Sequence, residues 1–399
     1  MNPITLLKFF LIDNIFKKAS VFFIAIGIFI LHLCFMKLFF IFNNFIVSTS
    51  FEINDYYEWN KFFCSYDCRW YLDIFNNGYS EPYGDQTEIR ANIAMEGRNW
   101  PFFPVFPFSA KILNSISNIK MIKNIIPDLE AFTILQITSG IYFFLAIYTF
   151  MKLSERELGK TSIVSTGLII AFNPLSFYVY TGYSESTFLF FNALAFYFLK
   201  QQKWIHAGFA GAFVSGSRLV GVFFVLAYLA NWQKVPWLHK KERAQFILGG
   251  ILCPLGLSLF MLYLYAKTGD ALIFKHTTPL FAHYPPSNPL RWYIMGIMNE
   301  GSFYRYYAIL ASLALFFSGY FLWNKQYDYA VYLLAATIIP MTSSLIALPR
   351  YIWWQLPFLF CISSIVQRNK YFLTIYLMFS CYLLMLMMFA WGYHAYFAV

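Results

Sequence analysis

The chain has 399 residues, of which 59% are hydrophobic, 22% aromatic and only 12% charged. A soluble globular domain is nearer half apolar and a quarter charged, so this composition excludes a soluble enzyme, a disordered chain and a disulfide-stabilised scaffold. The net charge of +10 would suit a nucleic-acid partner, but no run of Lys and Arg is long enough to follow a phosphate backbone. We therefore expect a lipid bilayer as the partner and no nucleic acid.

Apolar runs recur along the whole chain and predict an all-α polytopic membrane protein. A helix needs ~20 apolar residues to cross a hydrocarbon core, whereas a membrane β-barrel would show short alternating segments. No linker divides the runs, which favours one transmembrane domain, residues 1–399, with a large first extracytoplasmic loop (44–130) and a second one (267–303). The sequence predicts about eleven membrane segments, at residues 21–43, 131–152, 162–181, 185–200, 204–215, 218–232, 245–266, 304–323, 328–347, 350–367 and 371–395.

The distribution of Lys and Arg predicts a cytoplasmic N-terminus. With that orientation the cytoplasmic segments hold 15 of the 29 basic residues but only 5 of the 19 acidic residues, so they carry the whole net charge. An excess of Lys and Arg in cytoplasmic loops is the usual mark of membrane orientation.

Two predicted segments, 204–215 and 218–232, form an unusual pair. Twelve helical residues rise only about 18 Å, which is less than a hydrocarbon core of ~30 Å. Basic loops on both sides nevertheless require two crossings. We predict a short or broken hairpin with Arg218 at its tip, below the outer surface. Irregular backbone at membrane depth is tolerated only where it lines a protein-buried or wet cavity, so this tip is a candidate site.

The first extracytoplasmic loop holds 11 of the 19 acidic residues together with dense aromatic runs. Asp67 and Arg69 adjoin Trp70 and Tyr71 in a stretch that is amphipathic as a helix. Such a helix is expected to lie along the membrane surface with its apolar face down. An ordinary interfacial helix with solvated charges is the alternative.

A very short outer turn between two apolar segments is the second candidate. Residues 181–186 contain Tyr183 and Glu185 at the start of a helix. The alternative is a plain N-terminal cap, in which Ser184 caps the helix and Glu185 complements its dipole.

Basic side chains on the outer side are the third candidate: Arg218, Lys275, His276, Arg305 and Arg350. Arg matches phosphate oxygens bidentately, so several of these groups in one leaflet predict a phosphate or pyrophosphate on a long-chain lipid. Arg at a membrane interface also serves as a snorkelling anchor, which is the alternative.

Cysteine and histidine usage adds little. Cys64 and Cys68 are four residues apart on the oxidising side, but a bridge between them would strain a helix, so we expect free thiols. His276 and His283 share one outer loop, which leaves a metal site as an alternative, although no His shows metal-ligand spacing. No P-loop, dinucleotide or zinc motif occurs. We predict no cofactor and no bound metal, and we leave metal dependence open.

Six short motifs, in order from about residue 62 to 355, resemble the GPI mannosyltransferase II (second-mannose transferase) family and its bacterial relatives. The first is Tyr66-Asp67-x-x-Trp70-Tyr71-Leu72-x-Ile74 with Gly78-Tyr79, where the family commonly reads Trp-Asp in place of Tyr66-Asp67. The others are Phe102-Phe103-Pro104-Val105-Phe106-Pro107, Asn173-Pro174 with Tyr183-Ser184-Glu185-Ser186, Ser217-Arg218-x-x-Gly221, Thr268-Gly269-Asp270-Ala271-x-x-Phe274 and Pro349-Arg350-Tyr351.

The resemblance implies a C-type glycosyltransferase (GT-C) fold. Members of this class take a sugar, mannose in this family, from a polyprenyl-phosphate carrier at the outer membrane face. They place a catalytic carboxylate in the first outer loop, usually as the base of an inverting displacement. We expect a bacterial homologue with an acceptor other than GPI, in the inner membrane, with its active site facing the periplasm.

Within that scheme each candidate residue has an expected role. Asp67 is the predicted base on the acceptor hydroxyl, and the predicted holders of the donor phosphate are Arg218 and Arg350, with Lys275 and His276 as weaker candidates. The predicted sugar- or acceptor-binding residues are Glu185, Tyr183, Trp70 and Tyr71, and the acceptor is a glycolipid, a glycan or a protein. A lipid-carrier flippase or a secondary transporter is the alternative function, but neither requires the acidic aromatic loop.

Overall fold

The computed structural model describes residues 20–51, 58–81, 99–119, 129–281, 285–299 and 303–393, without the side chains of 46–51 and 280–281. The described chain is all-helical and has no β-strand. Its α-helices, in chain order, are α1 (Val21–Phe51), α2 (Trp59–Phe63), α3 (Cys68–Asn77), α4 (Val105–Ser117), α5 (Ala131–Leu158), α6 (Ser162–Ala171), α7 (Glu185–Lys200), α8 (Trp204–Ser217), α9 (Phe224–Leu229), α10 (Lys240–Leu252), α11 (Leu255–Thr268), α12 (Ile273–His276), α13 (Pro289–Met298), α14 (Phe303–Trp323), α15 (Tyr327–Met341), α16 (Leu348–Trp353), α17 (Leu356–Val366) and α18 (Lys370–Gly392). Short 3₁₀ helices lie at Ser176–Tyr180, Leu219–Phe223, Trp232–Lys234 and Thr278–Phe281.

Four of the described helices are long and apolar enough to cross a bilayer: α1, α5, α14 and α18. The pair α10 and α11, bent by 42° at Cys253 and Pro254, passes the same test as one broken span. Shorter apolar helices occupy Ser162–Ala171, Leu219–Leu229, Tyr327–Met341 and Leu356–Val366. Four or five apolar helices of spanning length give the described chain the character of a helical membrane protein. The number of crossings, eleven by sequence, stays a prediction.

Several predicted segments are broken near one end by irregular backbone. Segment 162–181 is α-helical only to Ala171 and continues, past Asn173-Pro174, as the 3₁₀ turn Ser176–Tyr180. Segment 350–367 consists of the end of α16 and the whole of α17, and Pro357 lies in the first turn of α17. Proline lacks a backbone N–H and cannot continue a helix from the preceding turn, which explains the breaks.

Helix α5 packs against four other helices, α1, α4, α6 and α7. Helix α8 packs against α7 on one side and against α10 and α11 on the other. Glycines allow these close approaches: a Cβ added at Gly256 would overlap the carbonyl oxygen of Ala212, and one at Gly249 would overlap that of Trp204. Small residues at helix contacts are typical of membrane proteins, where packing holds helices together without a hydrophobic driving force.

The predicted hairpin break is confirmed at Arg218. Helix α8 ends at Ser217, Arg218 is extended (φ −157°, ψ 150°), and a 3₁₀ turn follows before α9. The side chain of Arg218 is only 11% exposed. An Arg in this position projects from a helix end into the protein interior.

The two extracytoplasmic loops of the prediction are largely helical where they are described. Helices α2, α3 and α4 belong to the first, and α12 and α13 to the second. Helix α3 is amphipathic as predicted, with Cys68, Tyr71, Ile74 and Phe75 buried. Its apolar face packs against α4 and α5. The helix is therefore a part of the protein core and does not simply lie with that face on a membrane surface.

Candidate functional site

Four charged side chains from four separate elements meet in one cluster. Asp67 immediately precedes α3, Glu185 is the first residue of α7, Arg218 lies at the break after α8, and Arg350 is inside the short helix α16. We call these four residues the charged cluster. All four are residues that the sequence analysis singled out. The contacting pair Asp67 and Arg350 is 283 residues apart in the sequence.

Arg350 is the centre of the cluster. Its Nη1 donates to Asp67 Oδ2 at 2.8 Å, and its Nε and Nη2 donate to Glu185 Oε1 at 2.9 and 2.7 Å. Its side chain is only 7% exposed. Three N–H groups of one planar guanidinium thus connect two carboxylates, an arrangement that Arg can make and Lys cannot.

Glu185 is fully buried and is shared by both arginines. Arg218 Nη1 lies 2.7 Å from the same Oε1 atom as an ion pair, but its N–H is not aligned for a hydrogen bond. The second carboxylate oxygen, Oε2, is buried and has no hydrogen-bond partner among the described residues. Ser184 makes no side-chain cap, so the plain capping alternative does not account for this helix start. The helix dipole still favours a carboxylate at this position.

The cluster is electrically balanced, with two guanidinium groups against two carboxylates. Asp67 is its most accessible member: its side chain is 21% exposed, whereas that of Glu185 is not exposed at all. Asp67 also makes one contact with Arg350, whereas Glu185 makes two. Of the two carboxylates, Asp67 is the one that a substrate reaches first and displaces more easily.

Two tyrosines hold the backbone around Asp67. The Tyr183 hydroxyl accepts from the Asp67 backbone N–H at 3.0 Å and donates to the Ser65 carbonyl at 2.8 Å. The Tyr71 hydroxyl donates to Ser184 Oγ at 2.8 Å. The pKa of each phenol is raised above its ordinary value, mainly by burial and next by the charge of a nearby carboxylate. Both hydroxyls therefore stay protonated and can donate.

The expectation of free thiols at Cys64 and Cys68 is wrong, because the structure joins them in a disulfide with Cα atoms 5.2 Å apart. A continuous helix would have been strained by this bridge. Here α2 ends at Phe63 and α3 starts only at Cys68, and Tyr66 between them has a left-handed backbone (φ 50°). The bridge therefore closes a tight loop that contains Asp67.

Aromatic rings form the wall of the cluster, and two of them, Tyr178 and Trp391, were not singled out by the sequence. The guanidinium carbon of Arg350 lies 5.1 Å from the ring of Tyr178 and 4.9 Å from that of Tyr183. Trp391, near the end of α18, packs against both rings at 5.6 and 6.0 Å. The ring of Tyr351 lies 5.0 Å from Arg218. Because aromatic residues are so frequent in this sequence, single rings at the site are hard to recognise. The one available signal was that Tyr178 lies close in sequence to the motif that contains Tyr183.

Three predicted site residues have other neighbours among the described contacts. Trp70 stacks on Phe102 with ring centroids 6.0 Å apart. His276 pairs with Asp270 at 2.6 Å, and both His276 and Lys275 are exposed on α12. In the described part of the chain no contact connects Lys275 or His276 with the charged cluster. Arg305, another outer basic residue, donates to the Ile297 carbonyl.

Two cavities in the described residues lie away from the charged cluster. Cavities of about 210 and 200 Å³ lie between α7 and α8 and between α1 and α18, and neither is lined by a residue of the charged cluster. No group of three His, Cys, Asp or Glu is arranged to hold a metal ion within the described ranges. His283, the second histidine of the metal alternative, lies outside them.

The charged cluster therefore consists of a partly exposed carboxylate, one buried and one largely buried arginine, and a buried carboxylate with one oxygen unpaired among the described residues. Such a group can bind a phosphate through its arginines and take a proton through its carboxylate. Comparisons with known proteins add no identity: the chain matches no protein-family model and no curated protein.

Proposed function

We propose that this protein is a GT-C-type membrane glycosyltransferase that moves a sugar from a polyprenyl-phosphate donor to an acceptor hydroxyl at the extracytoplasmic face. The observation that carries the proposal is the cluster of Asp67, Arg218 and Arg350, the predicted base and the two predicted phosphate ligands. Arg350 contacts Asp67, and Glu185 joins Arg350 to Arg218. The six motifs resembling the mannosyltransferase family favour mannose as the sugar. The Cys64–Cys68 bridge supports an oxidising compartment, such as the periplasm, for the loop of Asp67.

The present contacts are those of a resting site. The N–H of Arg350 Nη1 that donates to Asp67 Oδ2 is not available to a donor phosphate while this contact lasts. A phosphate oxygen on Arg350 would take the place of this carboxylate, which has only the one contact, and would leave the Glu185 contacts intact. Donor binding then frees Asp67 to act as a base, next to the phosphate that has displaced it.

The chemistry follows from that exchange. The acceptor oxygen attacks the anomeric carbon, the bond from that carbon to the phosphate oxygen breaks, and the bonding electrons go to the lipid phosphate. Asp67 takes the proton of the acceptor hydroxyl, a role worth about 10²–10⁴-fold in rate. Arg350 and Arg218 stabilise the charge that develops on the phosphate, which leaves without a general acid.

Glu185 has a different role from Asp67. Its Oε1 holds both arginines in place, and its buried Oε2 lacks a donor. A sugar hydroxyl that enters the site as Asp67 is displaced would supply that donor through a charge-assisted hydrogen bond. Tyr183 and Tyr71 keep the loop of Asp67 and the start of α7 in register, since each connects the two elements.

The test is the fate of a polyprenyl-phosphate sugar in liposomes that contain the purified protein. A panel of polyprenyl-phosphate hexoses is supplied together with extracted membrane glycolipids, and the products are identified by mass spectrometry. The proposal predicts one acceptor product heavier by one hexose for each polyprenyl phosphate released. A flippase or transporter would move the donor across the bilayer with its sugar still attached, and that outcome would refute glycosyl transfer.

A further inference from the structure

Helix α1 carries an ionisable side chain that the proposed reaction does not use. His32 lies near the middle of the apolar window Val21–Phe45 and is fully buried in the protein. Lys37, the charged side chain of the same window, is exposed. Ionisable groups inside a spanning helix are rare and costly, and they usually mark a functional site. His32 is therefore a candidate for a role beyond packing.

Both ring nitrogens of His32 contact hydroxyl groups of one short turn. Nε2 lies 3.2 Å from Ser176 Oγ, and Nδ1 lies 3.2 Å from Tyr180 Oη. A neutral imidazole offers one donor and one acceptor, and a hydroxyl can be either, so both contacts form with either tautomer. Ser176 and Tyr180 are the first and last residues of the 3₁₀ turn Ser176–Tyr180. One imidazole on α1 thus holds both ends of the turn.

The middle of this turn carries Tyr178, whose ring lies 5.1 Å from the guanidinium carbon of Arg350. With about three residues per turn, Tyr178 projects from a different side of the 3₁₀ turn than Ser176 and Tyr180 do. One side of the turn therefore contacts α1, and another side contacts the charged cluster. An aromatic ring attracts a guanidinium group and restricts where it lies.

Tyr178 and Tyr183 both flank Arg350, but they are held by different parts of the protein. The Tyr183 hydroxyl bonds to the Asp67 N–H and to the Ser65 carbonyl, so this ring follows the loop of Asp67. That loop is the part which the proposed exchange disturbs, because the donor phosphate displaces Asp67. The turn of Tyr178 is bonded to the long helix α1 instead. Tyr178 is the ring that can stay in place while Arg350 changes its partner.

We propose that His32 is a positioning residue for sugar transfer. Through Ser176 and Tyr180 it fixes the 3₁₀ turn, and the turn keeps the Tyr178 ring against Arg350 when the donor phosphate arrives. His32 itself touches neither the substrates nor the reacting atoms. This inference rests on the proposed glycosyl transfer. A purely structural His32 would support the fold without acting through Tyr178, and that difference can be measured.

A double-variant cycle tests whether His32 acts through Tyr178. His32→Phe keeps a ring but loses both nitrogen contacts, and Tyr178→Leu removes the ring next to Arg350. Each should weaken binding of a polyprenyl phosphate without sugar about five- to tenfold in native mass spectrometry, the worth of one such contact. The initial rate of sugar transfer in liposomes should fall by a similar factor.

In the Tyr178→Leu background, His32→Phe should cost less than about twofold more, because residues that act as a unit are not additive. A full second loss in the double variant, or wild-type affinity in His32→Phe, would overturn the positioning role. His32→Gln, whose amide has one donor and one acceptor, replaces His32→Phe in the cycle if that variant does not fold. The expected loss is then about two- to threefold and again disappears in the Tyr178→Leu background.

Ser380→Ala is the matched control for lost packing. Ser380 on α18 is 1% exposed, and its hydroxyl donates to the Phe172 carbonyl at 2.6 Å, shortly before the turn. Its loss should lower the unfolding temperature, as His32→Phe does, but leave the affinity for polyprenyl phosphate unchanged. An equal loss of affinity would mean that any weakened packing near the turn is sufficient, and would overturn the specific role of His32.

The wild-type protein separates this inference from the proposed function. If it neither transfers sugar nor binds polyprenyl phosphate, the proposed function is wrong and the role of His32 is wrong with it. If it does both while the His32 variants behave as wild type, only the positioning role is wrong.

Discussion

At the scale of single residues, Glu185 is the member of the charged cluster on which the fold depends most. It is fully buried and forms ion pairs with two arginines whose side chains are 7% and 11% exposed. Removing one charge from a buried ionic group leaves its partner uncompensated, which costs about 3–5 kcal/mol.

We therefore expect Glu185→Gln to lower the unfolding temperature clearly as well as abolish activity. Differential scanning fluorimetry in detergent measures the first effect. Glu58→Gln is the control, since Glu58 forms a pair with Lys61 in which both side chains are at least 70% exposed, and such pairs contribute little. Equal unfolding temperatures for the two variants would contradict the importance given to the buried pair.

Arg350 provides a second test at this scale, because its role depends on shape and not only on charge. Arg350→Lys keeps the positive charge but cannot donate from three directions to Asp67 and Glu185. We expect sugar transfer to fall at least about tenfold, measured as initial rate in liposomes. A Lys variant with wild-type turnover would mean that a point charge is sufficient at this position.

At the scale of structural elements, the loop closed by Cys64 and Cys68 positions Asp67. The loop also contains Ser65 and Tyr66, of which Ser65 accepts from Tyr183 and Tyr66 packs on Trp391 at 5.3 Å. A bridge across so short a segment restricts the backbone on both sides of the carboxylate.

The double variant Cys64→Ser/Cys68→Ser should therefore lose activity more than it loses overall stability. Transfer rate and unfolding temperature, measured on the same preparation, separate the two effects. Cys34→Ser, at an exposed free cysteine on α1, is the control. Full activity in the double variant would show that the tyrosine contacts alone are sufficient to hold Asp67.

The position of α8 is the second determinant at this scale, because α8 ends at Arg218. Gly256→Ala would force the added methyl against the Ala212 carbonyl and 2.7 Å from the Gly216 backbone nitrogen, so α8 has to move. We expect lower transfer activity from this variant, since displaced backbone cannot yield as a side chain does. Gly319→Ala is the matched control, with nothing within 4 Å of the added Cβ. Equal activity of the two variants would show that the packing of α8 does not affect the site.

At the scale of the whole molecule, composition and apolar periodicity were enough to predict helices and membrane character. The break at Arg218 followed from the short pair of segments around it, whereas the breaks next to Pro174 and Pro357 lie inside segments that were predicted as continuous. The sequence could not show which of the outer basic side chains point into the site. Lys275 and His276 occupy the same predicted face as Arg218, yet they lie on an exposed helix outside the charged cluster. Pairing across 283 residues depends on the packing of α16 against α14 and α15, which no local pattern encodes.

Local reasoning also failed at Cys64 and Cys68, because it assumed a continuous helix. Tyr66 adopts a left-handed backbone and breaks the helix between them. Ala347, just before α16, is left-handed too (φ 62°). Such residues depend on surrounding structure and are often found at functional sites, so sequence propensities predict them poorly.

The number of crossings is a property of the whole chain and is open to a direct test. Eleven crossings from a cytoplasmic N-terminus put the C-terminus outside. Alkaline phosphatase fused after Val399 should therefore be active in a bacterial host, and green fluorescent protein fused there should be dark. Truncated fusions after Lys241, in a predicted cytoplasmic loop, should give the reverse. An inactive phosphatase after Val399 would exclude an odd number of crossings with this orientation.

The central claim is that Asp67 acts as the base once the donor phosphate has displaced it from Arg350. The most direct measurement is the single-turnover rate of sugar transfer by Asp67→Asn, with Asp73→Asn as control. Asp73 lies on the adjoining helix but contacts Asn77 and Asn99 and not the arginines. The account predicts a loss of about 10²–10⁴-fold for Asp67→Asn and near wild-type turnover for Asp73→Asn. Undiminished turnover in Asp67→Asn, with donor bound, would contradict it.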